Sequence, residues 1–331
     1  MSRLNSLLDY LLWPALFLGA LIPTGFGITH GHGPLAFNLT YLTLAGLLFW
    51  LEKVRPHEEA WRESDGQEVT DLAHTLFTKI SVQVIIVSLT NLGIAHQFRD
   101  REPGGFWPAH WPMFFQVCLA LVVAELGLYW AHRLAHEWMP LWKFHAVHHS
   151  SKKLWFFNTG RFHFVDTIKS MVFATPLLAL AGAPGDVFIW GSAITAYIGV
   201  LTHCNIQMRF GWLSHVFNTP GLHRWHHSMD LREGNKNYGE NLVLWDQIFG
   251  TYYDDSTRRP PAEIGIREAM PKGFLGQLAA PFYWGRYQAQ QKAKVPVTPQ
   301  ATASPLGENG GQVSTADTQN SAPEGFPMSE A

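Results

Sequence analysis

Cysteine is nearly missing from this chain: Cys118 and Cys204 are the only two in 331 residues. Two thiols cannot build a disulfide framework, an iron–sulfur site or a cysteine-based zinc finger. Cys118 lies in an apolar run and reads as a small core residue. Charge is also scarce. Asp, Glu, Lys and Arg make up 15% of the residues, against about 25% in ordinary soluble domains. The 24 Lys+Arg and 26 Asp+Glu leave a net charge of −2, without the basic stripe that a nucleic-acid binder presents. No dinucleotide fingerprint is found, since Gly25-Phe26-Gly27-Ile28-Thr29-His30 lacks the third glycine. No Ser–His–Asp or Cys–His arrangement and no internal repeat of solenoid length stands out.

Apolar stretches fill much of the remaining space. A spanning helix needs roughly 20 mostly apolar residues, with about 17 as a lower limit. Residues 8–27 qualify, although Pro14 and Pro23 should kink them. Residues 35–51 qualify at the limit, and 80–94 continue a helical pattern that starts near Asp71. The clearest span is 113–131. Residues 171–181 and 187–201 are each short for a crossing, and Gly182-Ala183-Pro184-Gly185-Asp186 separates them. They read as a helical hairpin, re-entrant or barely spanning. Asp9 interrupts the first apolar stretch and no small-x-small site follows, so that helix is expected to be retained rather than cleaved as a signal peptide.

The flanks give an orientation. Segments 52–72, 132–170 and 203 onward hold nearly all the Lys and Arg, whereas the loops near 29–34 and 95–112 carry only Arg99 and Arg101. The basic segments are therefore expected on the cytoplasmic side. Trp50, Trp107, Trp111 and Trp130 fall near span ends, as an aromatic belt would. From about Lys292 the chain becomes rich in Pro, Gly, Ser, Thr and Ala, and such a stretch is expected to be a disordered tail. The division is 1–112 for N-terminal membrane helices, 113–290 for the histidine-rich region and 291–331 for the tail.

Histidine, with 17 copies, is the residue in excess. Three clusters stand out: His132 with His136, His145 with His148 and His149, and His223 with His226 and His227. Residues at i, i+3 and i+4 of a helix share a face, so each cluster presents two or three imidazoles in one direction. Neutral imidazole is a common metal ligand. Eight exceed what one ion takes, so two ions are the natural count. Imidazole suits zinc, copper, iron and nickel alike. All three clusters fall at the cytoplasmic ends of predicted spans, where a lipid tail can arrive from the side.

Further text surrounds these clusters: Glu125-x3-Tyr129-Trp130-x-His132-Arg133-x2-His136, Trp142-x2-His145-x2-His148-His149-Ser150, Arg161-x-His163, and His203-x-Asn205-Ile206. Next come Asn218-Thr219-Pro220-x2-His223-x2-His226-His227, Asn237-Tyr238-Gly239 and Trp245-Asp246-x2-Phe249-Gly250-Thr251. Upstream, Glu52-x3-Pro56 and Asp71-x2-His74 are weaker matches. Over roughly residues 45–255 the chain resembles the fatty acid hydroxylase/sterol desaturase superfamily of membrane histidine-box di-iron oxygenases. The resemblance implies an all-α integral membrane bundle, about four spanning helices plus a helical hairpin, with a cytoplasmic helical cap that carries the boxes. It implies two non-haem irons held by the three boxes and His203. His163 matches a histidine that many members follow with Pro-x-Glu. Here Phe164-Val165-Asp166 follows, which leaves ligation, a supporting place or a surface place open. Gln207 stands where some hydroxylases carry one more histidine, so nine ligands are expected.

Glu125 is a carboxylate inside an apolar span, where such groups tend to be functional. It lies two helical turns from His132 and could accept a ligand's second N–H. Asn237 and Asp246 are candidates for the same supporting task. The resulting expectation is an oxidoreductase of the cell inner membrane that takes O₂ and external electrons to hydroxylate or desaturate a C–H bond of a sterol-like or fatty-acyl lipid. No fused redox module is found, so a separate ferredoxin- or cytochrome-like donor and its reductase are expected, docking on the cap near Lys152 and Lys153. The competing reading is a non-enzymatic membrane zinc protein or divalent metal transporter. A transporter would carry ionisable groups near the bilayer midplane and paired broken helices.

Overall fold

A computed structural model describes residues 3–91 and 105–294. The expected tail from 295 onward, the end of the expected 80–94 span, and His96, Arg99 and Arg101 lie outside the described residues. The architecture is helical, and β-structure among the described residues is limited to three isolated bridges.

Helices α1 (Arg3–Thr29) and α2 (Gly33–Val54) form the first hairpin. α1 runs through Pro14 and Pro23 as one element. It buries Trp13, Leu16, Phe17 and Ala20 against Leu44, Leu48 and Leu51 of α2 and against Ile194, Tyr197 and Leu201 further along the chain. Its other face shows Leu11, Leu18, Ile22 and Phe26 to the outside. Lipid solvates such a face, whereas water would not. Buried Asp9 accepts from Arg55 at 2.5 Å, with Arg209 at 3.7 Å. That tie fixes the start of α1 to the end of α2.

Among the described residues five helices are long and apolar enough to cross a membrane: α1, α2, α4 (Met113–Glu137), α6 (Phe164–Ala181) and α7 (Gly185–Thr202). Helix α3 (Glu68–Asn91) carries the start of the expected 80–94 span, which runs on beyond the described residues. Its first half is polar because it serves the cap: Asp71 pairs with Arg161 at 2.7 Å, and Thr75 and Thr78 donate to carbonyls of Phe157 and Gly160. The hairpin arms α6 and α7 reach spanning length. Each has 18 residues, roughly 27 Å at 1.5 Å per residue, close to the thickness of a hydrocarbon core.

α4 packs along α6, and Gly127 makes the approach possible: a Cβ there would overlap the Phe173 carbonyl. At Trp138 the chain turns into α5 (Met139–His149), whose early Pro140 suits a helix start. The cap then adds α8 (Pro220–His226), α9 (Leu231–Gly234), α10 (Leu244–Phe249), α11 (Phe274–Ala279) and α12 (Trp284–Lys294). Two side chains depart from expectation. Cys118 is exposed on the outer face of α4 rather than in the core. Trp107 is buried and donates its indole N–H to Gln116 at 2.9 Å, so it packs rather than joining a belt. Trp50 and Trp111 do face outward.

Candidate metal centre

The rings of three helices and one helix end converge. α4 supplies His132 and His136, α5 supplies His145, His148 and His149, and α8 with its C-cap supplies His223, His226 and His227. His203 caps the C-terminus of α7. All nine are buried, none more than 5% exposed. They sort into two groups whose nitrogens lie within 4.8 Å of one another: His132, His136, His145, His149 and His226, and then His148, His203, His223 and His227. His163 belongs to neither. Its Nε2 donates to the Leu278 carbonyl at 3.1 Å and its Nδ1 accepts from the Val165 N–H.

The ring chemistry tests whether a cation fits. His132 Nδ1 is 2.8 Å from the Tyr238 carbonyl, so that nitrogen must carry the proton. His145 Nδ1 is 2.8 Å from an Asp166 carboxylate oxygen and is protonated for the same reason. In neutral rings both Nε2 atoms are then bare lone pairs, yet they face each other at 3.0 Å. Two lone pairs at that distance repel unless a cation lies between the rings or beside them. His226 repeats the pattern: Nδ1 donates to the Lys236 carbonyl at 2.7 Å, and buried Nε2 has no hydrogen-bond partner among the described residues. Burial also keeps the rings neutral, as metal ligands must be. His203 and His226 are pushed down to about 3, and His148, His149, His223 and His227 fall well below the ordinary value, chiefly by desolvation and then by neighbouring histidines.

The supporting residues differ from those expected. Glu125 is buried, but it hydrogen-bonds to no histidine among the described residues. It accepts from the Glu240 and Asn241 backbone N–H groups and from the Asn241 amide. Asp246 accepts from the N–H groups of Tyr238 and Gly239 and from Thr251, and so aims the Tyr238 carbonyl at His132. A Cβ at Gly239 would overlap the Leu242 carbonyl. Asn237 sits at φ 54°, a region asparagine tolerates better than most residues. Its amide ties Leu222 and Tyr253 together. Sequence reasoning missed Asp166, Asn158, Asn235 and Lys169. Asn158 accepts from His203 Nδ1 at 2.9 Å, and Asn235 from His136 Nδ1 at 3.2 Å. Lys169 Nζ lies 2.5 Å from Asp166. The available signal was an Asp and a Lys three residues apart at the start of an apolar helix, an unusual pair for such a place.

A cleft of about 1080 Å³ opens beside the first group, lined by His136, His149 and His226 with Trp142, Arg232 and Glu268 among others. The expected donor-docking place loses one member. Lys153 is buried and bound to Glu68 at 2.9 Å and to the Glu63 carbonyl, while Lys152 is exposed along its length but donates its ammonium to the Ile266 carbonyl at 3.3 Å.

The chain's relatives bear on the same region. The fatty acid hydroxylase family model matches residues 117–251, from early α4 to just past α10. The ornithine lipid hydroxylase OlsE of Rhizobium tropici is 48% identical over 285 residues, 85% of this chain and 86% of that protein. The alkylglycerol monooxygenase of Danio rerio is 32% identical over 232 residues, 69% of this chain but 51% of that longer protein. The Delta(7)-sterol 5(6)-desaturase of Leptosphaeria maculans is 26% identical over 182 residues, 53% of this chain and 45% of that protein. No solved structure matches. With the family model falling on the histidine-bearing helices, and a hydroxylase relative aligned along most of both chains, this integral membrane protein belongs to the fatty acid hydroxylase family.

Proposed function

We propose that the chain is a membrane-bound non-haem di-iron oxygenase that hydroxylates a C–H bond of a lipid, of the ornithine-lipid class or close to it. The observation that carries this reading is the pair of buried histidine groups with facing Nε2 lone pairs. The substrate class follows the name of the relative that aligns with most of the chain. The nine histidines are assigned as ligands, five to one iron and four to the other. His163 is left out of the set, and Glu125, Asn237 and Asp246 are assigned to holding the loop that backs His132.

Bound iron supplies O₂ activation and the oxidising power that an unactivated C–H bond requires. The protein does the rest. Three helical surfaces fix the rings, and Tyr238, Lys236, Asn235 and Asp166 hold their outer nitrogens. Burial excludes bulk water from the oxidising position. The cleft beside His136, His149 and His226 carries Asp230 and Glu268 as well as Arg232 and Arg267. Both signs of charge suit a zwitterionic headgroup, while the acyl chains stay against the lipid-facing helices. The histidine groups lie on the basic side of the bundle, which supports a cytoplasmic active site in the inner membrane. Electrons come from a separate ferredoxin- or cytochrome-like donor with its reductase. A metal transporter is disfavoured because the rings gather at helix ends rather than midway along the membrane helices.

The experiment is expression of the full chain in a host that makes the candidate lipid, with lipids profiled by mass spectrometry. A product heavier by one oxygen, absent with His226→Ala, supports the reading. Unchanged lipids together with a purified protein holding only zinc would defeat it.

A further inference from the structure

The two histidine groups are not backed alike. In the five-histidine group four rings have their outer nitrogen held: His132 by the Tyr238 carbonyl, His226 by the Lys236 carbonyl, His136 by Asn235, and His145 by the Asp166 carboxylate. In the four-histidine group His203 is held by Asn158, whereas the Nδ1 atoms of His148, His223 and His227 are buried without a hydrogen-bond partner among the described residues. A held ring keeps its orientation, and a carboxylate behind it makes the opposite nitrogen a stronger donor. Asp166 is itself fixed by Lys169 at 2.5 Å, and both are buried near the start of α6. Burying that pair is costly, and replacing both by apolar residues would preserve an ordinary helix. The pair also bridges the membrane helix and the metal cap, so it places His145 relative to the bundle.

We propose that the two metal positions are built to unequal strength, and that Asp166, steadied by Lys169, is the positioning residue that makes the five-histidine position the tighter one. The four-histidine position then gives up its metal first. The proposal rests on the di-iron reading above and adds an order of metal retention to it.

The test is iron release from the purified full-length protein in the presence of a chelator, followed over time, with Mössbauer spectra of what remains. Two phases of one iron each are expected, separated by roughly tenfold or more. Asp166→Asn should speed the slow phase by about 10–100-fold and change the spectrum of the slowly released iron, while Asp166→Glu restores part of the delay. Asn158→Ala should speed only the fast phase. If Asp166→Asn does not accumulate as folded protein, Asn235→Ala takes its place and should speed the slow phase through His136. Two irons that leave at one rate, or a slow phase indifferent to both substitutions, overturn this proposal alone. A protein that takes up no iron overturns the di-iron reading and this proposal with it.

Discussion

An imidazole serves a metal only while its inward nitrogen is unprotonated, and in this chain burial enforces that state. His203 and His226 are pushed down to about 3, while the same rings in an unfolded chain titrate near 6.5. Between those values the unfolded chain binds more protons than the folded one, so acid favours unfolding. The metal-free protein should therefore lose thermal stability steadily as pH falls below about 6.5, with no such loss above 7. A melting temperature that stays level from pH 7 to pH 5 would count against buried neutral rings. His148→Ala and His226→Ala each remove one assigned ligand, from different groups. Both should abolish lipid oxidation and lower bound iron, whereas His163→Ala should leave iron content unchanged. At this scale the histidine spacing was legible and its partition was not. His148 and His149 are adjacent, so their side chains diverge by about 100° around the helix. The structure sends His149 to one group and His148 to the other, and it splits His226 from His223 and His227 in the same way. The backing groups were less legible still, because Tyr238 and Lys236 act through backbone carbonyls that any residue has.

Between helices and loops, two contacts decide whether the rings meet. Gly127 lets α4 lie against the Phe173 carbonyl of α6. Gly127→Leu should force the pair apart, with loss of folded protein in mild detergent and of both irons together. Normal iron content in that variant would show that the α4–α6 approach is not needed. Asp246 satisfies two backbone N–H groups and a threonine hydroxyl in the loop behind His132. Asp246→Ala strands those donors and should cost on the order of 3 kcal/mol, read as a lowered thermal midpoint with weakened iron retention. Long apolar runs announced α1, α2 and α4 in the sequence. The arms α6 and α7 were underrated because their first turns carry polar residues such as Asp166, Lys169 and Asp186, although each helix is long enough. In α3 the periodicity was visible, but not the contacts of Asp71 and Thr75 that tie its first half to the cap.

For the whole molecule the question is which side of the membrane the cap occupies. Arg232 projects from the cap with its side chain 89% exposed, while Cys204 is buried and Cys118 lies on the outer face of a membrane helix. Arg232→Cys combined with Cys118→Ser gives one accessible thiol. For the proposed cytoplasmic cap, a membrane-impermeant maleimide should label it only after the membrane is opened, and labelling of intact spheroplasts would put the cap on the other side. Metal identity and count decide whether the two histidine groups form a redox centre. Iron analysis and Mössbauer spectroscopy of the purified full-length protein, before and after reduction and exposure to O₂, test it most directly. Two irons per chain in magnetically interacting sites, reoxidised by O₂, are predicted from the two adjoining histidine groups. A single metal, or redox-silent zinc at full occupancy, would contradict the account.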